Sequence, residues 1–219
     1  VFIDDSAVNT SQAVNDTPTS YTPSALGEGG RTIAVEALDD AGNRVNSSMI
    51  NLTIDLTAPS ISVSTPAEGT VYSNSSPSIA FTAIDLADTL LEYTIFADGT
   101  INASGVAPNA TPVQANLTGL AEGPRTITVM AVDDAGRATN SSNYNVTIDL
   151  TAPQITLRGP ENQTITTDDT PDVSFNATDN LDDLIEYRIY VDGAQAVTGN
   201  ATNATIQTRT IGPLSQGTR

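Results

Sequence analysis

Asp55-Leu56-Thr57-Ala58-Pro59 returns intact as Asp149-Leu150-Thr151-Ala152-Pro153, and at that shift of 94 residues the chain aligns with itself without a gap. Gly29-Gly30-Arg31-Thr32-Ile33 recurs in the same register as Gly123-Pro124-Arg125-Thr126-Ile127, and Gly217-Thr218-Arg219 opens a further copy. A solenoid repeat is about 20 to 50 residues long, whereas this period suits a small domain of about 100 with its own core. The reading is therefore a tandem array: a partial repeat at 1–56, a complete one at 57–150 and a second partial one at 151–219. Both ends fall inside a repeat, so a longer parent protein is expected, and the lack of a leader or anchor carries no weight.

Whatever braces these repeats is not a disulfide, because the chain has no cysteine. Histidine is absent as well, which removes the usual near-neutral general base and the commonest imidazole metal ligand. All eight basic residues are arginine, so Schiff-base chemistry and lysine isopeptide staples are excluded. A net charge of -18 speaks against nucleic acid, whose phosphates require basic partners, and against anionic membrane surfaces. Neither nucleic acid nor direct membrane insertion of this segment is expected; cations or plain solvation suit the acidity.

Short alternating segments separated by Gly, Pro, Asn and Asp recur about every ten residues, the pattern of an all-β sandwich. In the complete repeat the strands are predicted as A at Ile61–Ser64, B at Ile79–Ile84, C at Leu91–Ala97, E at Val113–Thr118, F at Arg125–Val132 and G at Tyr144–Asp149, with a weak C′ near Ile101. Strand F would bury Ile127, Val129 and Ala131 and turn Thr126, Thr128 and Met130 outward, by the period of two. Strand G would bury Tyr144, Val146 and Ile148, and the earlier copy Ile50, Leu52 and Ile54. Ile61, Val63, Ile79, Phe81, Tyr93, Ile95, Leu117 and Leu120 complete the expected core.

The linker Asp-Leu-Thr-Ala-Pro, the strand F run from Gly123 to Val129 and the turn Asp133-Asp134-Ala135-Gly136, echoed at Asp39-Asp40-Ala41-Gly42, resemble the immunoglobulin-like and fibronectin-III-like repeats of prokaryotic cell-surface proteins. The resemblance implies tandem seven-stranded antiparallel sandwiches. It departs from antibody-type domains in lacking both the inter-sheet disulfide and the strand C tryptophan. It specifies a fold and not a task, since such sandwiches host many functions.

Of 17 asparagines, 14 stand in Asn-x-Ser/Thr with no proline between: Asn9, Asn15, Asn46, Asn51, Asn74, Asn102, Asn109, Asn116, Asn140, Asn145, Asn162, Asn176, Asn200 and Asn203. Chance would place about four there. Turn chemistry favours Asn but does not ask for Ser or Thr two places later, so covalent N-glycans are expected. Asn15, Asn109 and Asn203 recur in phase, as do Asn46 with Asn140 and Asn51 with Asn145. Together with the prokaryote-like repeats, the sequons point to an archaeal cell surface.

Following the strands up and down brings the linker, the B–C loop and the F–G loop to one pole. That pole would gather Asp55, Asp85, Asp88, Asp133 and Asp134, and one period later Asp149, Asp179 and Asp182, with Asp183 beside them. Hard carboxylate oxygens from three segments are the donor set calcium uses at a domain boundary. The alternative is an ordinary tight turn and a strand cap, and the Asp-x-Asp-x-Asp-Gly calcium loop is absent. Glu68, Asp98 and Glu122 fall at the opposite pole, where they would approach the next site. Arg31, Arg125 and Arg219, at the start of strand F, are expected to pair with an acid such as Glu92. Glu92 and Glu186, each followed by Tyr, could join Asp residues as paired carboxylates for glycoside hydrolysis, but a plain 94-residue sandwich has little room for the cleft this needs.

The expectation is a non-enzymatic, extracellular structural protein: a glycosylated filament, sheath or S-layer element whose partners are other copies of itself. An adhesin stalk and an accessory region of a secreted hydrolase are the alternatives. The incomplete end repeats read either as strand donation between chains or as a window on a continuous array.

Overall fold

The computed structural model describes residues 1–217, so Thr218 and Arg219, with the third arginine of the in-phase set, lie outside the described residues. Strands are the only regular elements among them, and no helix is long and apolar enough to cross a membrane. The chain gathers into two compact units. One comprises Val1–Thr70, Ser76–Leu120 and Arg125–Val146, the other Val71–Ser75, Ala121–Pro124 and the stretch from Thr147 onward.

The first repeat contributes β1 (Phe2–Ile3), β2 (Ser6–Ala7), β3 (Gly29–Ala34), β4 (Glu36–Leu38), β5 (Arg44–Asn46) and β6 (Ile50–Ile54). A sheet in the order β2-β1-β3-β6 forms beside the short β4-β5 ladder. Residues 8–28 form no strand and supply no opposing sheet. The expected inward face of β6 is correspondingly bare: Ile50 is 59% exposed, while Leu52 and Ile54 are half-buried. Alternation set the face correctly, but a face is buried only where a second layer covers it.

The complete repeat has both layers. Its strands are β7 (Ser60–Thr65), β8 (Thr70–Tyr72), β9 (Ser78–Ile84), β10 (Leu90–Ala97), β11 (Thr100–Pro108), β12 (Val113–Asn116), β13 (Gly123–Val132), β14 (Ala138–Asn140) and β15 (Tyr144–Ile148). One sheet runs β12-β9-β7; the other runs β11-β10-β13-β15-β8, with β14 added to β13. In the lettering used above these are E-B-A and C′-C-F-G, the seven expected strands. The short β8 and β14 are additions.

Period-two alternation fills the space between the sheets. Ile79, Phe81, Ile95, Leu117, Leu120, Ile127, Val129, Ala131, Val146 and Ile148 are buried as expected, and Ile61, Val63, Tyr93 and Tyr144 are half-buried. Leu91, Ala83, Ala97 and Ala107 join them. Leu91, Ala83 and Ala131 touch at one end of the core, with Ile61 against them. Phe81 and Tyr93 meet edge to face across the sheets, ring centroids 5.0 Å apart, a geometry worth about 0.5–1.5 kcal/mol beyond area burial.

Strand C′ is nine residues long and paired along β10, not the weak element expected near Ile101. Its small polar residues hide it from a hydrophobic pattern, and the turn creates it. Asp98 (φ 51°) and Gly99 (φ 77°) take the two left-handed positions of a two-residue hairpin turn, which glycine and aspartate tolerate. The last repeat repeats this at Asp192 and Gly193 (φ 52° and 80°). Further along, Tyr93 lies over Gly105, where a Cβ would fall 2.7 Å from its hydroxyl oxygen and 2.9 Å from its ring. Glycine is required there by the close approach of the ring.

The last repeat, described by itself, consists of β16 (Gln154–Gly159), β17 (Asp172–Thr178), β18 (Leu184–Val191), β19 (Ala194–Thr202) and β20 (Ile206–Thr210). A β16-β17-β20 sheet and a β18-β19 hairpin enclose Phe175, Ala177, Ile185, Tyr187 and Ala201. Phe175 and Tyr187 repeat the edge-to-face contact at 4.8 Å, and Gly199 lies under Tyr187 as Gly105 lies under Tyr93.

Candidate functional site

Three turns build the first acidic cluster. Asp55 follows β6 and begins the linker; its Oδ1 accepts the Thr57 amide (3.2 Å). Asp85 follows β9, and its Oδ1 accepts the Ala87 amide (2.8 Å). Asp133 follows β13, and its Oδ1 accepts the Arg137 amide (2.7 Å), closing the F–G turn. In each case aspartate shapes its own turn through one oxygen. The other oxygen, Oδ2 of Asp55, Asp85 and Asp133, is buried and accepts no hydrogen bond. Asp85 and Asp133 are only 6% and 5% exposed, so these oxygens are taken from water with nothing in exchange.

Carboxylate oxygens of Asp55, Asp88 and Asp133 lie within 4.8 Å of one another. Oxygens sharing one calcium ion at about 2.3–2.6 Å can be no more than about 5 Å apart, so the spacing fits a common ion. Burial, followed by the charges of Asp85, Asp133 and Asp88, pushes the Asp55 carboxyl above its ordinary range against the opposing hydrogen bond from Thr57. Asp85 is not in this close set, and neither is Asp134. Asp134 donates its backbone amide to Asp88 Oδ2 (3.1 Å), a positioning contact that residue type alone does not reveal. Arg137 Nε donates to the Asp55 carbonyl (3.4 Å), fastening the linker to the F–G turn.

One period later Asp149, Asp179 and Asp182 bring their oxygens within the same 4.8 Å. Asp179 accepts the Leu181 and Asp182 amides on Oδ1 (2.8 and 3.1 Å), and its Oδ2 is again buried without a partner. The same linker device recurs as well: Thr57 Oγ1 donates to Glu28 (3.0 Å), and Thr151 Oγ1 to Glu122 (2.9 Å), which also accepts from Asn180. These acidic clusters have the donor set and spacing to bind a metal.

The remaining candidates have other partners. Glu68 accepts both the amide and the side-chain nitrogen of Asn145 (2.9 and 2.8 Å), which hold its carboxyl below the ordinary range. Arg125 pairs with Asp98 (3.0 Å) and not Glu92, and Arg31 pairs with the in-phase Asp4 (3.2 Å). The same aspartates accept the Thr126 and Thr32 amides (2.9 Å each). The hairpin turn carries Asp98 to β13; its recurrence at Asp4 was the available signal. Glu186 pairs with Arg188 (2.7 Å).

Nine sequon asparagines are exposed: Asn15, Asn46, Asn51, Asn74, Asn116, Asn140, Asn145, Asn162 and Asn200. Asn9, Asn102, Asn109, Asn176 and Asn203 are half-buried. Asn102 exchanges two hydrogen bonds with Thr118, each 2.9 Å, and Asn176 accepts from Arg158 Nε (3.1 Å).

Residues 15–97 match the family of bacterial Ig-like domains (group 3), a stretch that crosses the first linker and ends with β10. Among solved structures, the fibronectin(III)-like modules of CbhA from Clostridium thermocellum are similar at 20% identity and a TM-score of 0.36, over 42% of this chain and 99% of that one. A comparison with curated proteins gives no match. The tandem antiparallel β-domains read from the sequence are present, the Ig-like match resting on residues 15–97, and Ig-like modules are typical of cell-surface and secreted proteins.

Proposed function

We propose that the chain is a load-bearing segment of an extracellular, N-glycosylated string of Ig-like domains, part of a surface filament, sheath or S-layer. Calcium held by Asp55, Asp85, Asp88 and Asp133, and by Asp149, Asp179 and Asp182, fastens each linker to the loops that follow it. The observation that carries this reading is the set of buried Oδ2 atoms with no partner on Asp55, Asp85, Asp133 and Asp179, of which Asp85 and Asp179 stand at the same phase in successive repeats. Unpaired buried carboxylate oxygens are costly unless a cation meets them. Polar, sequon-bearing surfaces support a sugar coat, which keeps sheet edges from pairing between neighbours.

The decisive measurement is calcium titration of the chain, followed by calorimetry and X-ray scattering, with and without chelator. Binding near one ion per cluster and a stiffer particle with calcium are expected. Indifference of both affinity and shape to calcium would remove the cation from the account. Intact mass before and after deglycosylation tests the sugars, and electron microscopy of native material distinguishes filament or lattice from isolated stalks.

A further inference from the structure

At Asn109 and Asn203 the sequon carboxamide spends both of its Nδ2 hydrogens inside the fold. Asn109 Nδ2 donates to the carbonyls of Asp85 and Asp88, both at 2.6 Å, while its Oδ1 accepts the Asp85 amide at 3.0 Å. Asn203 repeats all three: Nδ2 to the carbonyls of Asp179 (2.6 Å) and Asp182 (2.8 Å), and Oδ1 from the Asp179 amide (3.1 Å). The backbone fixes them as well. Asn109 donates its amide to Thr89 and the next residue, Ala110, donates to Ala83; Asn203 and Ala204 do likewise to Asp183 and Ala177, each at 2.9 Å.

An N-glycosidic bond replaces one of the two Nδ2 hydrogens, and here both are in use. Asn145 and Asn102, by contrast, spend a single Nδ2 hydrogen on Glu68 and Thr118. Asn15, at the same phase in the first repeat, is exposed.

We propose that Asn109 and Asn203 remain bare in the folded protein, their carboxamides serving as splints that set the acidic loop between β9 and β10, and that between β17 and β18, for its cation. They are positioning residues: they touch the loop backbone and leave the carboxylates of Asp85, Asp88, Asp179 and Asp182 to the ion. This rests on the cation reading above for its purpose, and on hydrogen bonding alone for the splint.

The test has two arms on the full chain. Glycopeptide mapping of native protein is expected to find Asn109 and Asn203 unmodified and exposed sequons such as Asn15 and Asn116 occupied; sugar on Asn109 or Asn203 overturns the proposal. In the second arm, Asn109→Ala and Thr111→Ala both destroy the sequon, but only the first removes the carboxamide. Asn109→Ala is expected to weaken calcium binding at least tenfold and to deprotect the Asp85 amide in hydrogen exchange, with Thr111→Ala unchanged in both. Asn109→Gln, which misplaces the same group by one methylene, serves where the alanine variant does not fold. If the carboxamide variants match Thr111→Ala, the splint is refuted. A wild type that binds no calcium removes the cation reading, and one without any sugar removes the glycoprotein reading; in either case Asp85 exchange still decides the splint.

Discussion

Replacing Asp133 by asparagine should change stability in opposite directions with and without calcium. The substitution keeps Oδ1 to accept the Arg137 amide, so the F–G turn is preserved, and it turns the unpartnered Oδ2 into a neutral donor. In chelator it also removes repulsion from Asp88, whose carboxylate oxygen lies within 4.8 Å. Two unit charges at that distance repel by about 3 kcal/mol at an effective dielectric of about 20, and the half-exposed position of Asp88 reduces this to about 1 kcal/mol. Asp133→Asn should therefore stabilise the ion-free chain by about 1 kcal/mol, or about 4–8 °C for a domain of this size. Calcium at about a hundred times its dissociation constant stabilises wild type by about 2.7 kcal/mol, and losing a ligand forfeits most of that. Thermal unfolding of both proteins, in chelator and in millimolar calcium, should show the melting order reversing. A variant destabilised equally under both conditions would mean that Asp133 is only a turn residue and that the orphaned oxygens mark no ion.

Other outcomes follow from the same geometry. Asp55 binds its proton more tightly in the folded state, so its contribution is full below the unfolded value and lost as pH rises through the folded one; in chelator, wild type should lose stability relative to Asp55→Asn as pH climbs from about 4, and denaturation at several pH values would show it. Asp98 behaves in the opposite sense. The Thr126 amide and then Arg125 hold its carboxyl below the ordinary range, so wild type should exceed Asp98→Ala by about 1 kcal/mol near neutrality, a difference kept small by solvent exposure and fading as pH falls through the folded value. Gly105→Val should cost about 1–3 kcal/mol by driving Tyr93 off Phe81, read as a lower denaturant midpoint at unchanged slope.

The sandwich was legible because burial on one face of a strand imposes a period of two that no helix shares, and β13 shows it in Ile127, Val129 and Ala131. What escaped depended on contacts rather than pattern. Leu91, the second residue of β10, stands between exposed Leu90 and Glu92 and is buried against Ala83 and Ala131 from other strands. β11 owes its length to backbone pairing beyond the Asp98–Gly99 turn. Among the acids, position along the chain placed Asp55, Asp88 and Asp133 together, because three loops at one end of a sandwich must converge. The role of Asn109 was hidden behind a motif that marks it as a sugar acceptor, though its recurrence in phase with Asp85 and Asp88 was in plain view.

Each acidic cluster takes its first carboxylate from the tail of one copy and the rest from the copy that follows: Asp55 precedes the linker that leads to Asp88 and Asp133, and Asp149 the one that leads to Asp179 and Asp182. A gene that gained or lost a whole 94-residue copy by unequal recombination would keep every surviving cluster complete, whereas a deletion ending inside a copy, between Asp55 and Asp133 for example, would separate the carboxylates of one. The array can thus change its reach by whole increments without redesigning any of its fastenings.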